Sequence, residues 1–148
     1  MAKGYLTAVY NAIRDQGGIC ISDEVQTGFG RLGDCFWGFE QDKVMPDMVV
    51  IGKPMGNGHP MGAVITTDPI SNSFEQGVEF FSSFGGNPVS CAIGNAVLKV
   101  IETEQLQERA LETGRYYKRL LKDLMGNHSE IGDVRGSGLF LGMGLMDE

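Results

Sequence analysis

The sequence predicts an α/β protein built around a parallel sheet, and three observations carry that prediction. Leu6, Val9, Tyr10 and Ile13 recur at helical spacing, and the apolar run Ile19-Cys20-Ile21-Ser22 follows them after a Gly17-Gly18 break, a helix-then-strand step. A second apolar run, Met48-Val49-Val50-Ile51, ends in the same way, on a charged residue and a chain break. Glycine is the third: 22 of 148 residues, well above the usual fraction of about 7%, which calls for tight turns and close backbone approaches.

In chain order, the first helix stops at Gly17-Gly18, and the strand after it is apolar enough to be buried on both faces. Residues 23–33 carry charge and Gly28, Gly30 and Gly33 with no periodicity, so they form a loop. Cys35, Phe36, Trp37 and Phe39 make an aromatic packing plug, and Pro46-Asp47 punctuates the entry to the second strand. Residues 62–66 are a third strand. Asp68 then starts a short helix as its N-cap, with Pro69 in the first position, running to about Gln76.

Pro88 opens the longest helical pattern, whose apolar face (Val89, Ala92, Ile93, Ala96, Val97, Val100) is broad enough that much of the helix should be buried. Residues 105–125 form an amphipathic helix, with Leu106, Ala110, Leu121 and Leu124 set among Arg, Lys and Glu. In the tail, residues 131–148, two apolar runs separated by Gly136-Ser137-Gly138 predict an antiparallel strand pair belonging to a different layer. A three-stranded sheet with both edges open associates readily, so an oligomer is expected.

Composition excludes several classes of partner. The formal net charge of −7 disfavours nucleic acid and anionic membrane surfaces, which call for clustered Lys and Arg. No stretch reaches 18 consecutive apolar residues, and residues 1–4 lead into the helix pattern without a signal-peptide core. The expectation is a cytoplasmic protein, with a mitochondrial location open to a chain that carries a leader. Cys20, Cys35 and Cys91, with no CxxC spacing, should be reduced and mostly buried. His59 and His128 have no metal-ligand spacing around them, and no metal is expected.

Two glycine motifs fail on context. Gly28-Phe29-Gly30-Arg31-Leu32-Gly33 has the letters of a dinucleotide fingerprint, but Asp34-Cys35-Phe36-Trp37 follows where a helix must open to hold pyrophosphate. Gly52-Lys53 is no phosphate-cradling loop, because Pro54 stands where Ser or Thr is required. The better constellation joins two strand ends. Parallel neighbouring strands would bring Asp23 and Lys53 to one carboxyl edge, where open α/β sheets bind ligands. Pro54 biases Lys53 toward extended backbone and holds it out of helix.

Pyridoxal phosphate needs such a pair: a lysine for a Schiff base and an acid to keep the pyridine nitrogen protonated. Two unit charges about 4 Å apart at an effective dielectric near 20 interact by roughly 4 kcal/mol, about three pKa units. The pattern alone equally allows Asp23 and Glu24 to be ordinary loop acids, with Glu24 a helix or salt-bridge partner.

Three motifs in order carry a family resemblance: Asp23-Glu24-Val25-Gln26-Thr27-Gly28-Phe29-Gly30-Arg31, the Gly52-Lys53 loop, and Ser83-Phe84-Gly85-Gly86-Asn87-Pro88. Together with Ile131-Gly132-Asp133-Val134-Arg135-Gly136-Ser137-Gly138, they make nearly the whole chain resemble class-III pyridoxal-phosphate-dependent aminotransferases of fold-type I. The resemblance implies that Asp23 contacts the pyridine nitrogen, Val25 packs on the ring face and Gln26 reaches the ring 3-oxygen. By the same resemblance, Lys53 carries the cofactor as a Schiff base and acts as the catalytic base. Ser83 stands where the family usually has Thr, whose hydroxyl binds the cofactor phosphate of the neighbouring subunit. Arg135 matches no carboxylate-binding position of the family and is expected to be structural.

The family's upstream phosphate turn, second ring-covering aromatic and carboxylate-binding arginine have no counterpart in these residues. The resemblance therefore implies that residues 1–103 are part of the large pyridoxal-phosphate-binding domain, an α/β/α layer with a mostly parallel sheet. Residues 104–148 are the connecting helix and the start of the small C-terminal α+β domain. The implied activity is amino-group transfer between an amine or amino acid and an oxo acid by a homodimer with shared active sites. Two further readings stand beside it. One is a phospho-lyase acting on a phosphorylated amine, which Phe36-Trp37-Gly38-Phe39 and the loop from Gly52 to Pro60 resemble equally. The other is a truncated, non-catalytic fragment or pairing partner of a full-length relative.

Overall fold

The computed structural model describes residues 4–77 and 79–146; residues 1–3 before the first helix and the last two residues of the tail lie outside them. Two compact units emerge, one of Met1–Gln26 with Phe39–Lys99, the other of Thr27–Gly38 with Val100–Glu148.

In the first unit, helix α1 spans Tyr5–Asp15 and buries Tyr10. Its N-terminus is capped from far along the chain: the Asp42 carboxylate accepts from the N–H groups of Gly4 at 3.0 Å and Leu6 at 2.8 Å. Strands β1 (Ile21–Asp23), β2 (Met48–Ile51) and β3 (Ala63–Thr66) form a sheet in that order. β1 and β2 run parallel, with Asp23 opposite Val50, while β3 returns antiparallel to β2. The order is mixed because β2 and β3 are joined by a short loop, whereas a parallel return needs a crossover of a dozen or more residues.

Several elements differ from expectation. β1 begins two residues later than the apolar run and is not buried on both faces: Ile19 and Ile21 are 54% and 58% exposed. β1 lies at the sheet's edge and pairs with β2 alone, so no second neighbouring strand flanks it. Helix α2 spans Asp68–Glu75, and its N-cap is Thr67 rather than Asp68, since the Thr67 carbonyl accepts from the N–H groups of Ile70 and Ser71. Helix α3, Pro88–Thr103, buries only Gly94, and at 16 residues it is shorter than α4. Its broad apolar face, with Val89 67% exposed, lacks a covering layer among the described residues. Of the three free cysteines only Cys20 is buried; Cys91 is exposed.

Asp47 ties the first unit together. Its carboxylate accepts from Cys20 N–H at 2.8 Å and pairs with Arg14 at 3.0 Å, and its carbonyl accepts from Thr66 Oγ1. The Cys20 N–H, with the Arg14 guanidinium second, holds the Asp47 carboxyl below the usual carboxylate range. The Gly4 and Leu6 N–H groups do the same for Asp42. Both groups bind a proton more weakly folded than unfolded, so their contribution is present above about pH 4 and is lost as pH falls through and below it. The urea midpoint, followed by circular dichroism, is expected to fall as pH drops below about 4. Asp47→Asn should flatten that dependence.

The second unit is organised by helix α4, Leu106–Met125, and the antiparallel pair β4 (Ile131–Ser137) and β5 (Phe140–Leu145). The turn falls at Gly138-Leu139, one step later than the spacing suggests, because Ser137 already pairs with Phe140. Phe29, Phe36 and Trp37 cluster with ring centroids 4.8–5.6 Å apart, so the aromatic plug gains Phe29. The glycine fingerprint has a packing cause. A Cβ on Gly33 would lie 2.6 Å from Leu111 Cα and one on Gly30 2.8 Å from Gln107 Cβ, so these two glycines approach α4 closer than a side chain permits. Among the described residues no helix is long and apolar enough to cross a membrane.

Candidate active site

The parallel pairing of β1 and β2 builds the site. Both strands end at the same edge, and the Glu24 N–H donates to the Val50 carbonyl at 2.9 Å, extending the pairing one residue past β1. Asp23 is therefore held opposite Val50, three residues before Lys53. The Asp23 carboxylate accepts from its own chain, from Val25 N–H at 3.0 Å, the local turn that Asp side chains favour and that fixes the carboxylate's orientation. Val25 comes alongside the root of the lysine loop: a Cβ on Gly52 would sit 3.7 Å from Val25 Cγ2. Asp23, Gln26 and Lys53 are exposed and Val25 is half-buried.

Lys53 departs from its expected backbone. It has φ +30° and opens a one-turn 3-10 helix, Lys53–Met55, instead of continuing extended before Pro54. The compensation is hydrogen bonding. The Gly52 carbonyl accepts from Met55 N–H at 2.9 Å, and the Lys53 carbonyl accepts from the N–H groups of Gly56 and Asn57 at 3.3 and 3.1 Å. These bonds close a tight loop that outweighs the steric preference of a residue before proline. The loop continues to fold on itself, for a Cβ on Gly56 would overlap the His59 carbonyl.

Asp23, Val25 and Lys53 thus share one sheet edge, with Gln26 next in chain to Val25. Ser83 is exposed on the segment leading into α3, and no hydrogen bond joins it to those residues. A cavity of about 640 Å³ opens between the lysine loop and that segment, lined by Met55, Met61, Phe84, Asn87 and Ser90; Lys53 is not among its lining residues.

One residue that pattern alone left as a loop acid is central here. Glu24 is 1% exposed, and its Oε1 accepts from Ser22 Oγ at 2.9 Å and from Phe39 N–H at 3.0 Å. Side chains alternate across a strand, so Glu24 turns inward where Asp23 turns outward, and Ser22 two residues back shares its face. That period of two was the available signal. Glu24→Ala would strand the buried Phe39 N–H, and a loss of about 1–3 kcal/mol in urea unfolding is expected. Glu24→Gln keeps an acceptor oxygen and should retain most of that stability.

Comparison with known proteins bears on the whole chain. The family model for class-III aminotransferases matches residues 1–148. The chain is 54% identical over 146 residues to the alanine–glyoxylate aminotransferase 2-like protein of Drosophila melanogaster, covering 98% of this chain and 30% of that protein. It is 49% identical to the mitochondrial alanine–glyoxylate aminotransferase 2 of Homo sapiens, covering 99% of this chain and 28% of that one. Among solved structures, a phospholyase from Arthrobacter in complex with phosphoethanolamine superposes with a TM-score of 0.94 at 44% identity, over 99% of this chain and 35% of that one.

The ornithine aminotransferase of Toxoplasma gondii, solved with partial occupancy of PLP at its active site, gives a TM-score of 0.90 at 31% identity, over 98% of this chain and 34% of that one. The chain thus spans about a third of the length of the relatives it matches. The sheet edge, the lysine loop and the small-sheet hairpin belong to a fold-type I architecture, and enzymes of that kind use pyridoxal phosphate. With a match from the first residue to the last and relatives at about half identity, the chain belongs to the class-III aminotransferase family.

Proposed function

We propose that this chain supplies the covalent half of a pyridoxal-phosphate transaminase site, transferring an amino group between an amine or amino acid and an oxo acid. The observation that carries the reading is the parallel β1–β2 pair, which brings Asp23 and the Lys53 loop to one edge. The residues fit the cofactor in kind. Lys53 Nζ offers an amine for its aldehyde carbon, and Asp23 offers a carboxylate for its ring nitrogen. Gln26 offers an amide for its ring oxygen, and Ser83 a hydroxyl for a phosphate. Gly52 leaves room for Val25 at the root of the loop.

When bound, pyridoxal phosphate supplies an electron sink that acidifies the α-proton of an attached amine. The protein's own groups do the rest. Asp23 holds the proton on the ring nitrogen, its carboxylate kept in place by the Val25 N–H. Lys53 Nζ, once free, takes the α-proton and returns it one position away, as general base and then general acid. Val25 covers one ring face and excludes water from it. Ser83 serves the phosphate of a second copy, so the working unit is a homodimer with shared sites. Relatives named as mitochondrial support that compartment beside the cytoplasm.

A second reading keeps the residues and changes the reaction: elimination of phosphate from a phosphorylated amine, favoured by the phosphoethanolamine-bound phospholyase at TM-score 0.94. The complete gene product, mixed with pyridoxal phosphate, is expected to develop a visible absorption band and to support oxo-acid-dependent amine transfer. Absence of the band overturns the cofactor assignment. Phosphate release from phosphoethanolamine without oxo acid would move the assignment to the lyase.

A further inference from the structure

Lys53 and Ser83 sit on two segments with β3 and α2 between them in the chain, yet the structure ties those segments together. His59, at the end of the lysine loop, shares a hydrogen bond of 2.7 Å between its Nε2 and Ser90 Oγ. Ser90 Oγ also accepts from Asn87 Nδ2 at 2.8 Å, and the Ser90 N–H donates to Asn87 Oδ1 at 2.9 Å, a capping bond at the start of α3. Asn87 Nδ2 donates in addition to the Phe84 carbonyl at 2.7 Å, one peptide unit from Ser83. A second anchor lies one turn further along α3, where a Cβ on Gly94 would press on Met61 Cε at 3.1 Å.

We infer that His59 is a positioning residue: through Ser90 and Asn87 it holds the lysine loop and the Ser83 segment as one body, and so sets the grip of Ser83 on the cofactor phosphate of the neighbouring copy. The inference rests on the reading given under Proposed function. Asn87 has both amide hydrogens committed, one to Ser90 and one to Phe84, so a shift of Ser90 relocates the Phe84 carbonyl and with it the Ser83 hydroxyl. His59 is the group that fixes Ser90 from the lysine side. Without it the helix cap survives, because Asn87 and Ser90 still bond each other, but the two segments lose their polar tie and keep only the Met61–Gly94 contact in common.

The distinguishing quantity is discrimination for phosphate. In the complete gene product, stripped of cofactor and titrated by visible absorbance, His59→Ala is expected to weaken pyridoxal phosphate about tenfold and pyridoxal, which lacks the phosphate, less than about twofold. His59→Gln, whose amide can meet Ser90 Oγ, should recover most of the loss, and Ser90→Ala should reproduce it. An equal loss for both aldehydes, or none for pyridoxal phosphate, overturns the inference. Should His59→Ala fail to fold, Ser90→Ala decides, and wild-type phosphate preference there overturns it. Lys53→Ala separates the two levels. If it leaves the band of the bound cofactor unchanged, the proposed function fails; if it abolishes the band while His59→Ala discriminates like wild type, only the role of His59 fails.

Discussion

Replacing Lys53 by alanine is expected to abolish transamination, with a loss of at least about 10³-fold, because in the proposed site one amine serves both as the attachment point and as the proton carrier. The chemistry leaves a permanent record. Borohydride treatment of the wild-type protein with pyridoxal phosphate should fix one cofactor mass to the chain, and peptide mapping should place it on the fragment containing Lys53. Lys43, Lys99, Lys118 and Lys122 are internal controls, since none lies at the β1–β2 edge. A fixed cofactor on Lys53→Ala, or one mapped to another lysine, would reject the assignment. Folding is not at issue, because Lys53 is exposed and the bonds of its loop run through backbone.

Asp23→Asn is the second large effect. The substitution keeps Oδ1 as acceptor for the Val25 N–H, so the turn and the strand pairing remain while the charge disappears. A unit charge close to the ring nitrogen is worth roughly 4 kcal/mol at an effective dielectric near 20, which corresponds to about a 10³-fold fall in turnover. The melting temperature should move by no more than about 2 °C, since the exposed carboxylate makes no ion pair among the described residues. Turnover above about a tenth of wild type would show that the acid does not hold the ring proton.

Much of this was legible in the residues, and for physical reasons. Helical spacing located α1, α3 and α4, and the apolar run at Met48–Ile51 located β2 without adjustment. Pairing the strand ends of Ile21–Asp23 and Met48–Ile51 required only that neighbouring strands be parallel. Burial was less legible. Ile19, Ile21 and Val89 are apolar enough for a core, but burial depends on a partner layer that local sequence does not specify. The role of Glu24 is illegible for a related reason: a carboxylate beside a loop resembles a solvated one until Ser22 Oγ and Phe39 N–H arrive from the fold. The His59–Ser90 bond spans 31 positions, and no periodicity reaches so far. The packing behind the fingerprint Gly28-x-Gly30-x-x-Gly33, a helix backbone pressed against Gly33, is visible only in three dimensions.

The positive φ of Lys53 has a consequence for how this position can evolve or be engineered. A side chain held there costs about 1–3 kcal/mol, and glycine would be free of that cost. Stability and reactivity therefore select opposite residues at position 53. Screens that rank variants by melting temperature alone would favour glycine at the residue proposed to carry the chemistry, so under that proposal a more stable protein from such a screen would be an inert one.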